Sequence, residues 1–140
     1  MLHGSINHAS ITVSDLPAAM EFFGPFLEFL GYTVGNVGRY GPADTELTVN
    51  INQANGTAFN LWQARPALAD RPFEVYAPGL HHVAFNVERH EQVDAAHALV
   101  VRLGGQVLDG PGEFPFADNG YYAFYSLGPD QLKFEVVHMP

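Results

Sequence analysis

The sequence predicts an α+β fold built from two βαβββ modules, whose strands make a curved, partly open mixed β-sheet barrel around a cup. Three observations carry that expectation. Ile6-Asn7-His8-Ala9-Ser10-Ile11-Thr12-Val13 returns as Leu80-His81-His82-Val83-Ala84-Phe85-Asn86-Val87, with His8 and His82 at the same place in each copy. Gly31 in Leu-Gly-Tyr-Thr-Val and Gly105 in Gly-Gly-Gln-Val-Leu keep the same 74-residue offset. The order of signals, strand, helix and then three strands, is written twice, which marks an internal duplication.

Taken along the chain, period-two alternation marks strands at about 5–13, 46–52, 58–63, 80–87, 120–126 and 131–138, with shorter candidates near 32–37 and 105–109. Helices are expected at about 15–30 and 89–103. In the first, Asp15 is the N-cap and Pro17 lies in the first turn. Ala19, Met20, Phe23, Phe26, Leu27 and Leu30 make an apolar stripe that ends at Gly31. Pro25 inside that stripe is expected to kink or split the helix. In the second helix Val93, Ala96, Val100 and Leu103 mark the buried side before Gly104-Gly105. Pro129-Asp130 reads as a type I turn, which makes 120–138 a hairpin.

The chain of 140 residues suits a single domain, 1–140, with repeat 1 at 5–64 and repeat 2 at 79–139 joined by the proline-rich connector 65–78. Two glycine- and proline-rich loops, 35–44 and 110–120, are candidates to cover a pocket; the second contains Phe114 and Phe116.

Composition limits the chemistry. With no cysteine, disulfides, thiolate metal sites, Fe–S clusters and a cysteine nucleophile are excluded, so any metal must be held by nitrogen and oxygen. Six basic residues against fifteen acidic ones give a net charge of −9, which repels nucleic acid and anionic membranes as partners. No apolar run approaches a membrane span and the N-terminal residues do not resemble a secretory signal, so the cytoplasm is the expected compartment.

Successive strand residues face opposite sides of a sheet. In the first strand Ala9, Ile11 and Val13 form an apolar row, leaving His8, Ser10 and Thr12 opposite. In the fifth, His81, Val83, Phe85 and Val87 stand against His82, Ala84 and Asn86, so parity pairs His82 rather than His81 with His8. His81 is expected to pack on the helix side, and His90 and His97 to lie on a helix surface. In the third and fourth strands Leu47, Val49, Ile51, Phe59 and Leu61 are assigned to the helix side and Thr48, Asn50, Asn60 and Trp62 to the cup. In the last strands Glu135 shares a row with Lys133 and Val137, and Tyr125 shares one with Tyr121 and Ala123, opposite Tyr122 and Phe124.

The plainer explanation of such a face is a polar outer surface. Trp62, Tyr121 and Tyr125 are costly to leave facing water, which favours a lined cavity. On it His8, His82 and Glu135 offer two imidazoles and a carboxylate, a ligand set that suits Fe, Mn, Ni, Co or Zn with coordination positions left open. Asn50, Asn60, Trp62 and Tyr121 are the candidate substrate contacts. Phe59-Asn60-Leu61 answers Phe134-Glu135-Val136, so the halves present His with Asn and His with Glu.

The repeat, His8 followed by Val13-Ser14-Asp15-Leu16, His82 in His-Val-Ala-Phe-Asn-Val and Glu135 in Pro-Asp-Gln-Leu-Lys-Phe-Glu-Val resemble the vicinal oxygen chelate superfamily. That group includes glyoxalase I, extradiol dioxygenases, fosfomycin-resistance transferases, methylmalonyl-CoA epimerase and metal-free bleomycin-binding proteins. The resemblance covers nearly the whole chain. It implies a glyoxalase-like fold, a homodimer, and a divalent metal chelated by two neighbouring substrate oxygens, with His8, His82 and Glu135 at family ligand positions. The fourth position falls on Asn60, which cannot act as a base, and this departure counts against glyoxalase I chemistry. The resemblance also makes Tyr125, ten residues before Glu135, a hydrogen-bond donor to a substrate oxygen. The expectation is therefore a metal-dependent enzyme with dioxygenase-like or lyase/isomerase chemistry on a small oxygenated or aromatic substrate. The alternative is a non-catalytic binding or resistance protein that sequesters an apolar or aromatic molecule in the same cup.

Overall fold

A computed structural model describes residues 4–116 and 120–140. His3 and residues 117–119 of the second glycine-rich loop lie outside the described residues. The chain divides into two compact units, one running through Arg71 and one starting at Pro72, and the division falls within the proline-rich connector.

The first unit contains β1 (His8–Val13), α1 (Leu16–Phe29), β2 (Tyr32–Thr33), β3 (Gly38–Tyr40), β4 (Thr45–Asn52) and β5 (Ala58–Gln63). Its sheet has the order β1-β5-β4-β2, with β3 also paired to β4, and β1 runs parallel to β5 while β4 and β5 form an antiparallel hairpin. Asp15 caps α1 as expected, accepting from the Ala18 amide at 3.0 Å. Gln63 on β5 secures the same end, taking the Leu16 amide at 2.8 Å and donating to the Ser14 carbonyl at 2.7 Å. Phe22, Phe23, Phe26 and Leu27 bury the inner face of α1, and Phe23 meets Phe59 at 5.9 Å between ring centroids.

Pro25 does not split α1, which runs unbroken from Leu16 to Phe29. The proline stands on the exposed side, where the Glu21 carbonyl it leaves without a donor is not enclosed by the core.

The second unit repeats this plan with β6 (Val83–Asn86), α2 (His90–Arg102), β7 (Gln106–Phe114), β8 (Tyr121–Leu127) and β9 (Lys133–His138). The sheet order is β6-β9-β8-β7, again with the first and last strands parallel. Val93, Ala96 and Val100 of α2 are fully buried, and Phe85, Phe124, Phe134 and Val136 complete this core. His97 and His90 face the sheet rather than the helix surface, His97 against Phe124 and His90 stacked on Tyr122 at 4.3 Å. The expected hairpin is present, but residues 129–131 form a 3-10 turn with Asp130 and Gln131 at positive φ rather than a type I turn.

The two-module α+β plan is as expected, while the strands form two separate open sheets and not one continuous barrel sheet. The register ties the repeats together residue by residue. Ser10 lies opposite Asn60 and Ala84 opposite Glu135, so Asn60 and Glu135 are equivalent positions, as His8 and His82 are. Among the described residues, no helix is long and apolar enough to cross a membrane.

Candidate metal and ligand site

The second unit gathers the chemistry on one sheet face. β9 lies between β6 and β8, so Glu135 is flanked by Ala84 on one side and Tyr125 on the other. Phe134 and Val136 point into the helix-side core, and strand alternation therefore sends Glu135 to the opposite face. Its carboxylate is buried, with the residue 1% exposed. A carboxylate in that position requires donors. The Tyr121 hydroxyl donates to Oε1, and His82 Nε2 stands 3.4 Å from Oε2.

His82 precedes β6, and its other ring nitrogen is engaged as well: Nδ1 lies 2.7 Å from Nδ1 of His81. His81 is exposed rather than packed on the helix side, because β6 begins only at Val83 and strand alternation does not govern the residue. Its ring sits edge-on to Tyr76 and His82.

Tyr125 stands beside this pair, with ring centroids 5.9 Å from His82 and 5.3 Å from Phe114. Phe114 stacks on Phe116 at 5.7 Å, and Phe116 meets Tyr121 edge-to-face at 5.4 Å. Burial, followed by the hydrogen bond to Glu135 and its charge, pushes the Tyr121 phenol well above the ordinary tyrosine value. Burial and the Glu135 charge also raise Tyr125. Both phenols thus keep their protons at neutral pH.

In the first unit His8 is exposed at the start of β1, with Nδ1 2.8 Å from the Asn7 side-chain oxygen. Asn60 is buried and donates weakly to the Ser10 hydroxyl at 3.4 Å, while its Oδ1 has no hydrogen-bond partner among the described residues. Trp62 is half-buried on the same face, opposite Thr12 and Leu47.

The β4 assignment is inverted. Thr48 pairs with Leu61 and Asn50 with Phe59, so Thr48 and Asn50 face α1, while Leu47, Val49 and Ile51 share the face of Asn60 and Trp62. Thr48 donates to the Met20 sulfur at 3.3 Å. The Asn50 amide donates to the Phe59 carbonyl at 2.8 Å and accepts from the Gly35 amide at 3.2 Å. Asn50 therefore braces the break between β2 and β3, where a Cβ on Gly35 would collide with the Val49 carbonyl oxygen. It is a buried strut rather than a ligand contact.

Residue types alone did not reveal the Tyr121–Glu135 bond, the His81–His82 contact or the Phe114/Phe116 stack. The row shared by Tyr121 and Tyr125 was the available signal for the first. Among the described residues no group of three or more His, Asp or Glu side chains is gathered for a metal; the pair His82 and Glu135 is. An imidazole nitrogen and a carboxylate oxygen turned toward each other match the donor types that Fe, Mn, Ni, Co and Zn accept.

Residues 5–136 match the Glyoxalase/Bleomycin resistance protein/Dioxygenase superfamily. The chain belongs to that superfamily. It is 29% identical over 133 residues to the uncharacterized protein YqjT of Bacillus subtilis (strain 168), covering 94% of this chain and 97% of that protein. It is 28% identical over 131 residues to a 2,2',3-trihydroxybiphenyl dioxygenase of Sphingomonas paucimobilis, covering 94% of this chain but only 40% of the dioxygenase. In fold it is similar to a glyoxylase/bleomycin resistance protein/dioxygenase domain from Frankia sp. EAN1pec, with TM-score 0.80, 21% identity and full coverage of both chains. A glyoxalase family protein from Enterococcus faecalis superposes with TM-score 0.70 and 21% identity, over 98% of this chain and 99% of that one. This superfamily member thus has the duplicated fold of its relatives and a polar pair, His82 and Glu135, on the second sheet.

Proposed function

We propose that this protein is a divalent-metal-dependent enzyme acting on a small oxygenated or aromatic compound, by dioxygenase-like or lyase/isomerase chemistry. His82 and Glu135 hold the metal, and His8 is the third ligand by its equivalence to His82 in the repeat. The observation that supports this most is the burial of the Glu135 carboxylate beside an imidazole. A buried anion is costly unless paired, and a divalent cation held by His82 and Glu135 would offset that cost. The bound metal supplies Lewis-acid stabilisation of negative charge that develops on substrate oxygens.

The chain's own residues define the rest. Tyr121 fixes the Glu135 carboxylate through Oε1. Tyr125, protonated at neutral pH, donates a hydrogen bond to a substrate oxygen. Phe114 and Phe116 offer an apolar wall that packs on a ring and displaces water. Asn60 and Trp62 contribute substrate contacts from the first repeat, and Asn60, being uncharged, takes no proton. The likeness to a trihydroxybiphenyl dioxygenase supports an oxygenated aromatic substrate and favours the dioxygenase branch. The functional assembly is a homodimer.

Stoichiometric metal uptake tests the reading. Protein stripped of metal and titrated with Fe(II), Mn, Ni, Co and Zn binds one ion per chain, and Glu135→Gln and His82→Ala abolish it. Uptake of none of these ions refutes the enzyme and leaves a protein that sequesters aromatic compounds against the Phe114/Phe116 wall.

A further inference from the structure

We infer that Lys133 reads a negatively charged group on the ligand, so that the compound bound is an aromatic acid rather than a neutral aromatic. This rests on the aromatic-ligand reading above and narrows its substrate class.

Four observations carry it. Lys133 is opposite Leu127 and Glu135 opposite Tyr125 in the antiparallel register, which puts the lysine on the site face, two residues from the buried carboxylate. Its ammonium stands over the Tyr125 ring at 5.3 Å from the centroid, on a ring that also borders His82 and Phe114. A cation held on an aromatic face is directed by that ring and remains free to pair with an anion.

Among the described residues its charge also lacks a carboxylate partner, none being within salt-bridge distance of the ammonium. The two Glu135 oxygens are turned to Tyr121 and His82, and Asp109, opposite Tyr125 on β7, accepts from the Gly110 amide at 2.8 Å. The Lys133 stem is half-buried while the ammonium stays at the ligand face, so the charge is open to an anionic group on the ligand.

The internal repeat supplies a control. The register equates Lys133 with Ala58, Glu135 with Asn60 and Tyr125 with Val49. The first unit forms the same sheet without the ammonium, the carboxylate or the phenol, so the fold does not require them. All three were placed together in one copy. A chain with net charge −9 repels anions at long range, and a ligand that is itself an anion needs a local cation of this kind.

The test uses 2,3-dihydroxybenzoate and its methyl ester as probes, titrated calorimetrically into the whole protein. The acid binds about tenfold more tightly than the ester, in line with one charge-assisted contact. Lys133→Met, which keeps the aliphatic stem, removes that preference by weakening the acid alone, and Lys133→Arg, which keeps the charge, retains it. An acid-to-ester ratio that is the same in Lys133→Met and the parent protein overturns the inference, as does failure of both probes to bind. The arms separate the two readings. Preference for the acid without metal uptake refutes only the metal site, and metal uptake without that preference refutes only the ligand class.

Discussion

Tyr121 on β8 donates its hydroxyl hydrogen to Oε1 of Glu135 on β9, and so commits one oxygen of a buried carboxylate while the other is turned toward His82. The bond crosses adjacent strands and orients the acid before any ligand arrives. Removing the donor leaves a buried acceptor unpaired. Tyr121→Phe is therefore expected to cost about 1–3 kcal/mol of stability in a denaturant titration at neutral pH, and to weaken metal uptake. An unchanged unfolding midpoint with unchanged uptake refutes the anchoring role.

The tyrosines give a pH signature. Tyr121, Tyr122 and Tyr125 all have raised pKa values: Tyr121 and Tyr125 chiefly through burial, and Tyr122 chiefly through its hydrogen bond to Asp94 at 2.7 Å. A phenol whose folded pKa lies above its unfolded value near 10 contributes stability that is complete below that value. The contribution disappears as pH rises through the folded pKa. Three of the six tyrosines are thus expected to ionise late in a phenolate absorbance titration, with stability falling from about pH 10 upward. Tyr121→Phe removes one late step; six tyrosines titrating together contradict the assignment.

The adjacent histidines separate by role. His82→Ala is expected to abolish metal binding, whereas His81→Ala, which removes only the Nδ1 contact that orients the His82 ring, lowers affinity by about tenfold. Equal loss in both variants, measured by competition with a chromophoric chelator, refutes the distinction between ligand and support.

Asn50→Ala tests the inverted face of β4. The amide joins Phe59 and Gly35 in a buried position, so its loss is expected to destabilise the first sheet by about 1–3 kcal/mol. Binding of metal and of the dihydroxybenzoate probes stays unchanged in the fraction that remains folded. A selective loss of ligand binding with normal stability returns Asn50 to the substrate face.

Much of the second unit was legible from parity. A strand of known direction sorts its residues into two rows, and the rows containing Glu135, Tyr125 and Tyr121, or Phe134 and Val136, are those the sheet presents. The same rule failed on β4, for a definite reason. Parity says which residues share a row but not which row meets the helix, and in β4 the more apolar row, Leu47, Val49 and Ile51, is not the one that does. The hairpin register, with Thr48 against Leu61 and Asn50 against Phe59, turned that strand over. Two polar side chains are accommodated inside because each finds a partner there.

By itself, the sequence determined the duplication, the order of elements, the Asp15 cap and the correspondence of His8 with His82 and of Asn60 with Glu135. These follow from local periodicity, caps and spacing, which the chain carries along its own length. Tertiary structure decided what spacing does not encode: that Pro25 lies inside an unbroken helix, that His81 leans on His82, that Tyr121 holds Glu135, and that Lys133 stands over the ring of Tyr125. Each depends on strand register and side-chain direction, which are fixed only when separate segments pair across the sheet.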